Sequence, residues 1–122
     1  MGTANELMQK HFKIWSETDF ESRRKAIDEA YSENCRVYDP FYADVFVGRD
    51  ALMTLIDEVQ GKFPGFVFTI IPGSLDEHHG HVRVSWYYGP SDKLQTITGQ
   101  DFMLIENGLI HSVSVFIDTP AE

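Results

Sequence analysis

The sequence has little cysteine, few basic residues and no long apolar run. Its single cysteine, Cys35, cannot form a disulfide within the chain, which is typical of proteins of a reducing compartment. No apolar run approaches the roughly 20 residues that a membrane-spanning helix needs. The first residues also lack the basic and apolar segments of a secretory signal peptide. These absences predict a cytoplasmic protein.

The scarcity of positive charge limits the classes of partner. The chain has 10 Lys and Arg against 19 Asp and Glu, a formal net charge of −9 at pH 7. An acidic surface repels phosphate backbones, so we expect no binding to nucleic acid. The sequence has no glycine-rich phosphate loop, and we predict no cofactor. Its 122 residues suffice for one domain, which we place at 1–122.

The first half of the chain has helical periodicity. Apolar residues at spacings of three and four predict a first helix with Leu7, Met8, His11, Phe12 and Trp15 on one face. Thr18 stands three residues before Glu21, which predicts a capping box at the start of a second helix from about Phe20 to Tyr31. A third helix follows Gly48 and ends at Phe63, before Pro64.

After Gly65 the hydrophobic period changes to two, which is typical of strands. We expect four strands, around residues 66–71, 82–88, 101–104 and 112–117, and a short one from Cys35 to Asp39. Asn107-Gly108 is a strong hairpin signal, and His79-Gly80 marks another turn. Helices gathered on one side of an antiparallel sheet make an α+β fold.

One face of this sheet would expose apolar side chains in a monomer. Phe102, Leu104 and Phe116 alternate with the inward residues of their strands. Exposed apolar patches usually mark interfaces, so we expect a homodimer that packs through the outer sheet face.

Four segments together resemble a known family: YSENCRVYDP at 31–40, VGRDAL at 47–52, TGQDF at 98–102 and ENGLI at 106–110. In this order they resemble the nuclear transport factor 2-like superfamily, and within it the branch of SnoaL-like polyketide cyclases and ketosteroid isomerases. The resemblance implies a cone-shaped α+β barrel, with three N-terminal helices packed in a curved, mostly antiparallel sheet around an apolar pocket. It implies no single activity, because enzymes, binding proteins and assembly domains share this fold.

Asp39 is the first candidate for chemistry. By the period of two it shares a face with Cys35 and Val37, so it would be a carboxylate in an apolar pocket, where burial favours a general base. The resemblance implies the same role, because the isomerases have their base in an Asp-Pro at this place. The alternative is that Asp39 only initiates a turn.

Asp101 is the second candidate, since it lies on a strand face that is otherwise apolar. The resemblance implies a protonated aspartate here that donates a hydrogen bond to the substrate oxygen, a pattern known from ketosteroid isomerase. The alternative is that Asp101 only accepts a hydrogen bond from the first helix and holds the fold.

The sequence departs from the isomerases in the first helix. They carry a tyrosine there as the main hydrogen-bond donor, whereas this chain has His11 near that position, which argues against steroid isomerisation. His11 could donate a hydrogen bond or move a proton, or it could be a core histidine paired with Asp101. Tyr88 could supply the missing hydroxyl.

We expect the pocket wall to suit a flat, mostly apolar ligand. Its predicted residues are Trp15, Phe63, Val84, Trp86, Tyr88 and Met103. The alternative is that these side chains simply fill the cone, and we favour it for Trp15 and Phe63.

The stretch DEHHGH at 76–81 contains three histidines, but His79 and His81 flank the glycine of a predicted turn, where side chains point to solvent. We therefore predict no metal site.

A third activity, epoxide hydrolysis, would need an arginine in the pocket, and Arg83 is predicted to face away.

Two functions remain open. One is a proton-transfer enzyme of the isomerase, cyclase or dehydratase type, with Asp39 as base and Asp101 and His11 as polarising groups. The other is a non-catalytic module that binds a small ligand or dimerises. They differ in whether these three side chains converge on an open cavity.

Overall fold

The computed structural model describes residues 3–118 and places three helices and one seven-stranded sheet in them. The helices are α1 (Thr3–Ser16), α2 (Phe20–Ala30) and α3 (Arg49–Lys62). The strands are β1 (Tyr31–Tyr38), β2 (Phe46–Val47), β3 (Val67–Ile70), β4 (Asp76–His78), β5 (His81–Gly89), β6 (Ile97–Glu106) and β7 (Leu109–Ile117). The predicted α+β class is confirmed. The ends of the expected 1–122 domain, residues 1–2 and 119–122, lie outside the described residues.

Helix α1 presents the predicted apolar face to the core. All five residues of the predicted stripe are buried, and Ile14 joins them. The stripe therefore fixes the rotation of α1, and with it the inward direction of His11. None of the three helices within residues 3–118 is long and apolar enough to cross a membrane.

The second helix begins at Phe20 as predicted, but its cap and its last residue need correction. Asp19, not Thr18, is the N-cap, and its side chain accepts a hydrogen bond from the Ser22 N–H at 2.9 Å. The capping box is wrong because the Asp19 carboxylate, one residue closer to the helix than Thr18, already accepts this free N–H. At the other end α2 stops at Ala30, and Tyr31 begins β1 instead of ending the helix.

Helix α3 begins and ends close to the predicted residues. Gly48 is its N-cap at φ +93°, a left-handed conformation that glycine adopts without strain. The Gly48 N–H donates to the Cys35 carbonyl at 2.8 Å, which ties the start of α3 to β1. At the end, the Phe63 N–H donates to the Val59 carbonyl before Pro64 stops the helix.

The sheet is mostly antiparallel, with strand order β2-β1-β7-β6-β5-β3 and β4 paired with β5. One pairing is parallel: β1 lies beside β7, so the short strand predicted at 35–39 is in fact an eight-residue neighbour of the last strand. The sheet curves and does not close. Its concave face and the helices enclose the apolar core.

Two tight hairpins connect strands as their turn residues predict. Asn107 and Gly108 have φ of +54° and +77°, and His79 and Gly80 have +54° and +80°. Positive φ at both central residues is the turn geometry that matches the twist of paired strands. The second hairpin adds β4, a strand that the sequence pattern did not predict because Asp76–His78 is wholly polar and exposed.

Candidate functional site

A cavity of about 420 Å³ lies between the concave face of the sheet, α1 and α3. Seven aromatic side chains form much of its wall: Phe12, Trp15, Phe41, Phe63, Phe68, Trp86 and Tyr88. His11, Asp39 and Asp101 all line this same cavity. The three groups for which chemistry was predicted therefore converge on one open space.

The structure separates the six predicted wall residues into two groups. Trp15, Phe63, Trp86 and Tyr88 line the cavity, whereas Val84 and Met103 do not, although both are buried. The period of two gives the face of a strand but not the depth along it. Val84 and Met103 lie nearer the His81 end of the β5–β6 pair than Trp86 and Tyr88 do, and both belong to the buried core.

Asp39 stands where β1 ends and Pro40 turns the chain. Its Oδ1 accepts the Phe41 N–H at 2.9 Å, and its backbone carbonyl accepts the Tyr42 N–H at 3.1 Å. Asp39 thus initiates a turn and lines the cavity at once. Burial raises the pKa of the Asp39 carboxyl, and the nearby charge of Asp101 raises it further, against the opposing effect of the Phe41 N–H.

Asp101 is the centre of a buried hydrogen-bond network. Its Oδ2 lies 3.0 Å from His11 Nε2, and its Oδ1 accepts the Trp86 Nε1–H at 3.0 Å. On the far side of the imidazole, His11 Nδ1 contacts the Tyr31 hydroxyl, which also accepts the Trp15 Nε1–H at 3.3 Å. Asp101 therefore pairs with His11 of the first helix and also lines the cavity.

The neighbours of His11 favour one arrangement of the protons in the network. Because the Tyr31 oxygen accepts from Trp15, its own proton is free to donate to His11 Nδ1. His11 then carries its proton on Nε2 and donates to Asp101. In this arrangement each donor of the network has an acceptor.

The position of Trp86 depends on a glycine in the facing strand. Gly99 of β6 is paired with Trp86 of β5, and a Cβ there would lie 2.4 Å from the indole Cζ2. The missing side chain lets the indole lie across β6 and reach Asp101. The sequence showed this glycine only as part of a motif and gave it no role.

Tyr88 holds the one hydroxyl of the cavity wall whose oxygen is buried without a hydrogen-bond partner in residues 3–118. Its ring stacks on Phe68 at 4.1 Å between centroids, with Phe63 and Phe66 against it. Burial raises the pKa of Tyr88 to about 12, so the hydroxyl keeps its proton at neutral pH.

Tyr31 is the member of the network that sequence reasoning missed. The sequence pattern predicts it at the end of the second helix, whereas the structure places it inward at the start of β1. Burial raises the pKa of Tyr31 well above its usual value. The alternation of Tyr31 with Cys35 and Val37 across an extended segment was the signal available in the sequence.

The other reactive side chains lie apart from the cavity. His78, His79 and His81 are exposed on the β4–β5 hairpin, and residues 3–118 contain no group of three or more metal-ligating side chains that could hold an ion. Arg83 is exposed and pairs with Asp76 at 3.0 Å. Cys35 is buried, and burial raises the pKa of its thiol, which disfavours the reactive thiolate.

Residues 8–113 match the family model of the SnoaL-like domain, which covers most of the chain. The chain belongs to the SnoaL-like family. This confirms the resemblance found in the sequence motifs. No curated protein matches this SnoaL-like domain.

Solved structures share the fold of this SnoaL-like domain. A candidate isomerase of the SnoaL-like family from Agrobacterium tumefaciens has a TM-score of 0.87 and 29% identity, over 98% of this chain and 100% of that one. A candidate ketosteroid isomerase from Kribbella flavida has a TM-score of 0.75 and 19% identity, over 98% and 81%. A candidate polyketide cyclase from Sinorhizobium meliloti has a TM-score of 0.71 and 14% identity, over 90% and 93%.

Proposed function

We propose that this SnoaL-like domain is a cofactor-independent proton-transfer enzyme of the isomerase or cyclase type, which acts on a small, mainly apolar carbonyl compound. One observation carries the proposal: the Asp39 carboxyl and the buried Asp101–His11 pair line the same aromatic cavity. The names of the similar structures, an isomerase and a cyclase among them, support the reaction class.

Asp39 is the proposed base. In its ionised form it takes a proton from the carbon next to the substrate carbonyl, and its raised pKa makes it a stronger base than a surface aspartate. The electron pair moves to the carbonyl oxygen. Where a C=C bond adjoins that carbon, Asp39 then returns the proton to the far end of the dienolate, which is an isomerisation. Alternatively, the enolate carbon attacks a second carbonyl of the same molecule and closes a ring, and Asp39 returns its proton to the alkoxide that forms there.

Asp101 is the proposed group that stabilises the developing oxygen charge. A carboxyl group has enough lone pairs to accept from both Trp86 and His11 and still carry a proton. When Asp101 is protonated, that proton remains available for the substrate oxygen. His11 holds the Oδ2 side of the carboxyl and so fixes the direction of this donor.

The test is deuterium exchange at the carbon next to the carbonyl in a panel of small ketones, followed by NMR. We expect wild type to exchange at least one ketone, and D39N and D101N to lose about 100-fold or more of that rate, in the range of general acid–base effects. The control is D44N, because Asp44 is exposed and does not line the cavity. Equal rates in wild type, D39N and D101N would sink the catalytic assignment.

The second candidate function is ligand binding without chemistry. The aromatic wall favours it, because apolar area alone retains a flat ligand. A ketone that binds to wild type and to both variants with similar affinity, and exchanges in none of them, would establish a binding module.

Two further properties are part of the proposal. The buried, unpaired thiol of Cys35 suits the reducing cytoplasm, where we place the protein. Phe102 and Phe116 are exposed on the outer sheet face and pack edge to face at 5.4 Å, which supports a homodimer through that face.

A further inference from the structure

The charge of the cavity wall restricts the ligand more than its apolar character does. We propose that the cavity takes uncharged ligands that carry a hydrogen-bond acceptor, held by the Tyr88 hydroxyl, and rejects ligands with a carboxylate or phosphate inside it. This deepens the proposed function, because it names the substrate class of the same site.

Within the described part of the chain, the cavity wall carries carboxyl groups and no lysine or arginine to balance their charge. Asp39, Asp101 and Asp118 line the cavity, and no Lys or Arg of residues 3–118 does. Lys62 is the positive group whose charge lowers the pKa of Asp39. Its amine lies 5.3 Å from the centre of the Tyr42 ring, and Lys62 does not line the cavity. A ligand anion would therefore enter against like charges.

The aromatic wall makes that repulsion effective. Asp101 is only 4% exposed, and the apolar rings of Phe12, Phe68 and Trp86 line the same cavity, so little solvent reaches its carboxyl. Charges interact more strongly where water is excluded, and a buried anion without a partner is very costly. His11 Nε2 lies 3.0 Å from an Asp101 oxygen, so this nitrogen is already engaged and adds no donor for a ligand anion.

The Tyr88 hydroxyl is a second observation, independent of charge, that points to a ligand in this cavity. Its side chain is almost completely buried, it lines the cavity, and its hydroxyl has no partner in residues 3–118. Leaving such a donor unsatisfied costs about 1–3 kcal/mol. A carbonyl or ether oxygen of a ligand removes this cost, and stacking on Phe68 holds the donor in place.

The aromatic wall and the Tyr88 hydroxyl, which is free within the described residues, therefore favour a ligand with an apolar, flat body and an acceptor oxygen. Both Asp101 oxygens already accept hydrogen bonds, so Asp101 in its ionised form adds no donor for a ligand anion. Thr98, at the cavity edge, donates to Asp118 at 2.8 Å and is likewise occupied.

The test compares three probes with one skeleton by isothermal titration calorimetry at pH 8. They are 2-acetylnaphthalene, which is neutral with an acceptor, 2-naphthoate, which is anionic, and 2-ethylnaphthalene, which has no acceptor. We expect the ketone to bind at least tenfold more tightly than the naphthoate. Binding of the naphthoate as tight as that of the ketone, or no measurable binding of the ketone, would overturn the proposal.

Two variants separate the specific contacts from simple desolvation of an anion. Y88F should lower the affinity for the ketone about tenfold, because one hydrogen bond is lost, and should leave the affinity for 2-ethylnaphthalene unchanged. D39N should raise the affinity for the naphthoate and so reduce the difference in affinity between the naphthoate and the ketone. The control D44N should change neither affinity. An equal loss of ketone and hydrocarbon in Y88F would assign Tyr88 to packing alone and contradict the proposal.

These affinities are independent of catalysis. A protein that ranks the probes as expected but exchanges no proton keeps the ligand class and loses the proposed chemistry. One that exchanges ketone protons but binds the naphthoate equally keeps the chemistry and loses the ligand class.

Discussion

At the scale of single residues, the Tyr31 hydroxyl connects α1 to the sheet. It contacts His11 Nδ1 and accepts from Trp15, so Y31F would leave two buried polar groups of α1 without a partner. We expect Y31F to lower the free energy of unfolding by about 1–3 kcal/mol. Urea titration measures this loss, and Y38F, at an exposed tyrosine of the same strand, should stay within about 0.5 kcal/mol of wild type. Equal effects of the two variants would contradict this role.

Asp39 should set the pH dependence of any exchange reaction. Its pKa is raised above 3.8, so the exchange rate should rise with pH around a midpoint above that value, as the carboxyl becomes ionised. A rate profile of wild type against pH measures the midpoint. A rate that falls over the same range would exclude Asp39 as the base.

The same raised pKa has a consequence for stability. The folded state holds the Asp39 proton more tightly than the unfolded state, so ionisation of Asp39 penalises the folded state above its folded pKa. D39N should therefore gain stability relative to wild type as pH rises through that pKa, and the gain should be absent at low pH, where both are uncharged. Thermal melts across pH measure the difference between the two proteins.

At the scale of elements, two glycines should respond to alanine in opposite directions. In G99A the new Cβ would meet the Trp86 ring at 2.4 Å and the Phe116 carbonyl at 2.5 Å, which we expect to cost about 1–3 kcal/mol and to disturb the Trp86–Asp101 bond. In G61A no atom lies within 4 Å, and helix α3 should gain up to about 1 kcal/mol. Denaturant unfolding and near-ultraviolet circular dichroism would show both effects. Stabilisation of G99A would contradict the close packing of Trp86.

Local patterns predicted the elements well where burial on one face decides the structure. The α1 stripe and the Asn107-Gly108 hairpin depend on residues near in sequence, and both are confirmed. The parallel pairing of β1 with β7 joins residues such as Val37 and Val113, and no local period encodes such a partner. For the same reason, the sequence pattern assigned Tyr31 to the second helix and predicted only residues 35–39 of this run as a strand.

In the candidate site, too, the sequence predicted what local patterns determine and missed what the assembled fold determines. Asp39, Asp101 and His11 were found because a polar side chain on an apolar face is visible in the sequence, and all three line the cavity. The depth of Val84 and Met103, and the contact of Tyr31 with His11, depend on where strands end and how α1 docks. These are properties of the assembled fold, not of a local segment.

At the scale of the whole molecule, the outer face of the sheet should join two copies of the chain. Sedimentation velocity should show a dimer for wild type and a monomer for F116D, because a buried unpaired charge at the interface is costly. F20D, at an equally exposed phenylalanine on α2, should remain a dimer. A monomeric wild type, or dissociation of both variants alike, would contradict the assignment of this face.

The strand order also has a consequence for biosynthesis. Within residues 3–118, β7 is the only link between the pair β2-β1 and the strands β6-β5-β3, yet it is the last of the seven to leave the ribosome. Until residues 109–117 emerge, β1 and β6 each present an unpaired edge above an open apolar core. A nascent chain stalled before β7 therefore exposes apolar surface and unpaired strand edges, and its cavity is incomplete. We expect such a chain to depend on chaperones until synthesis resumes.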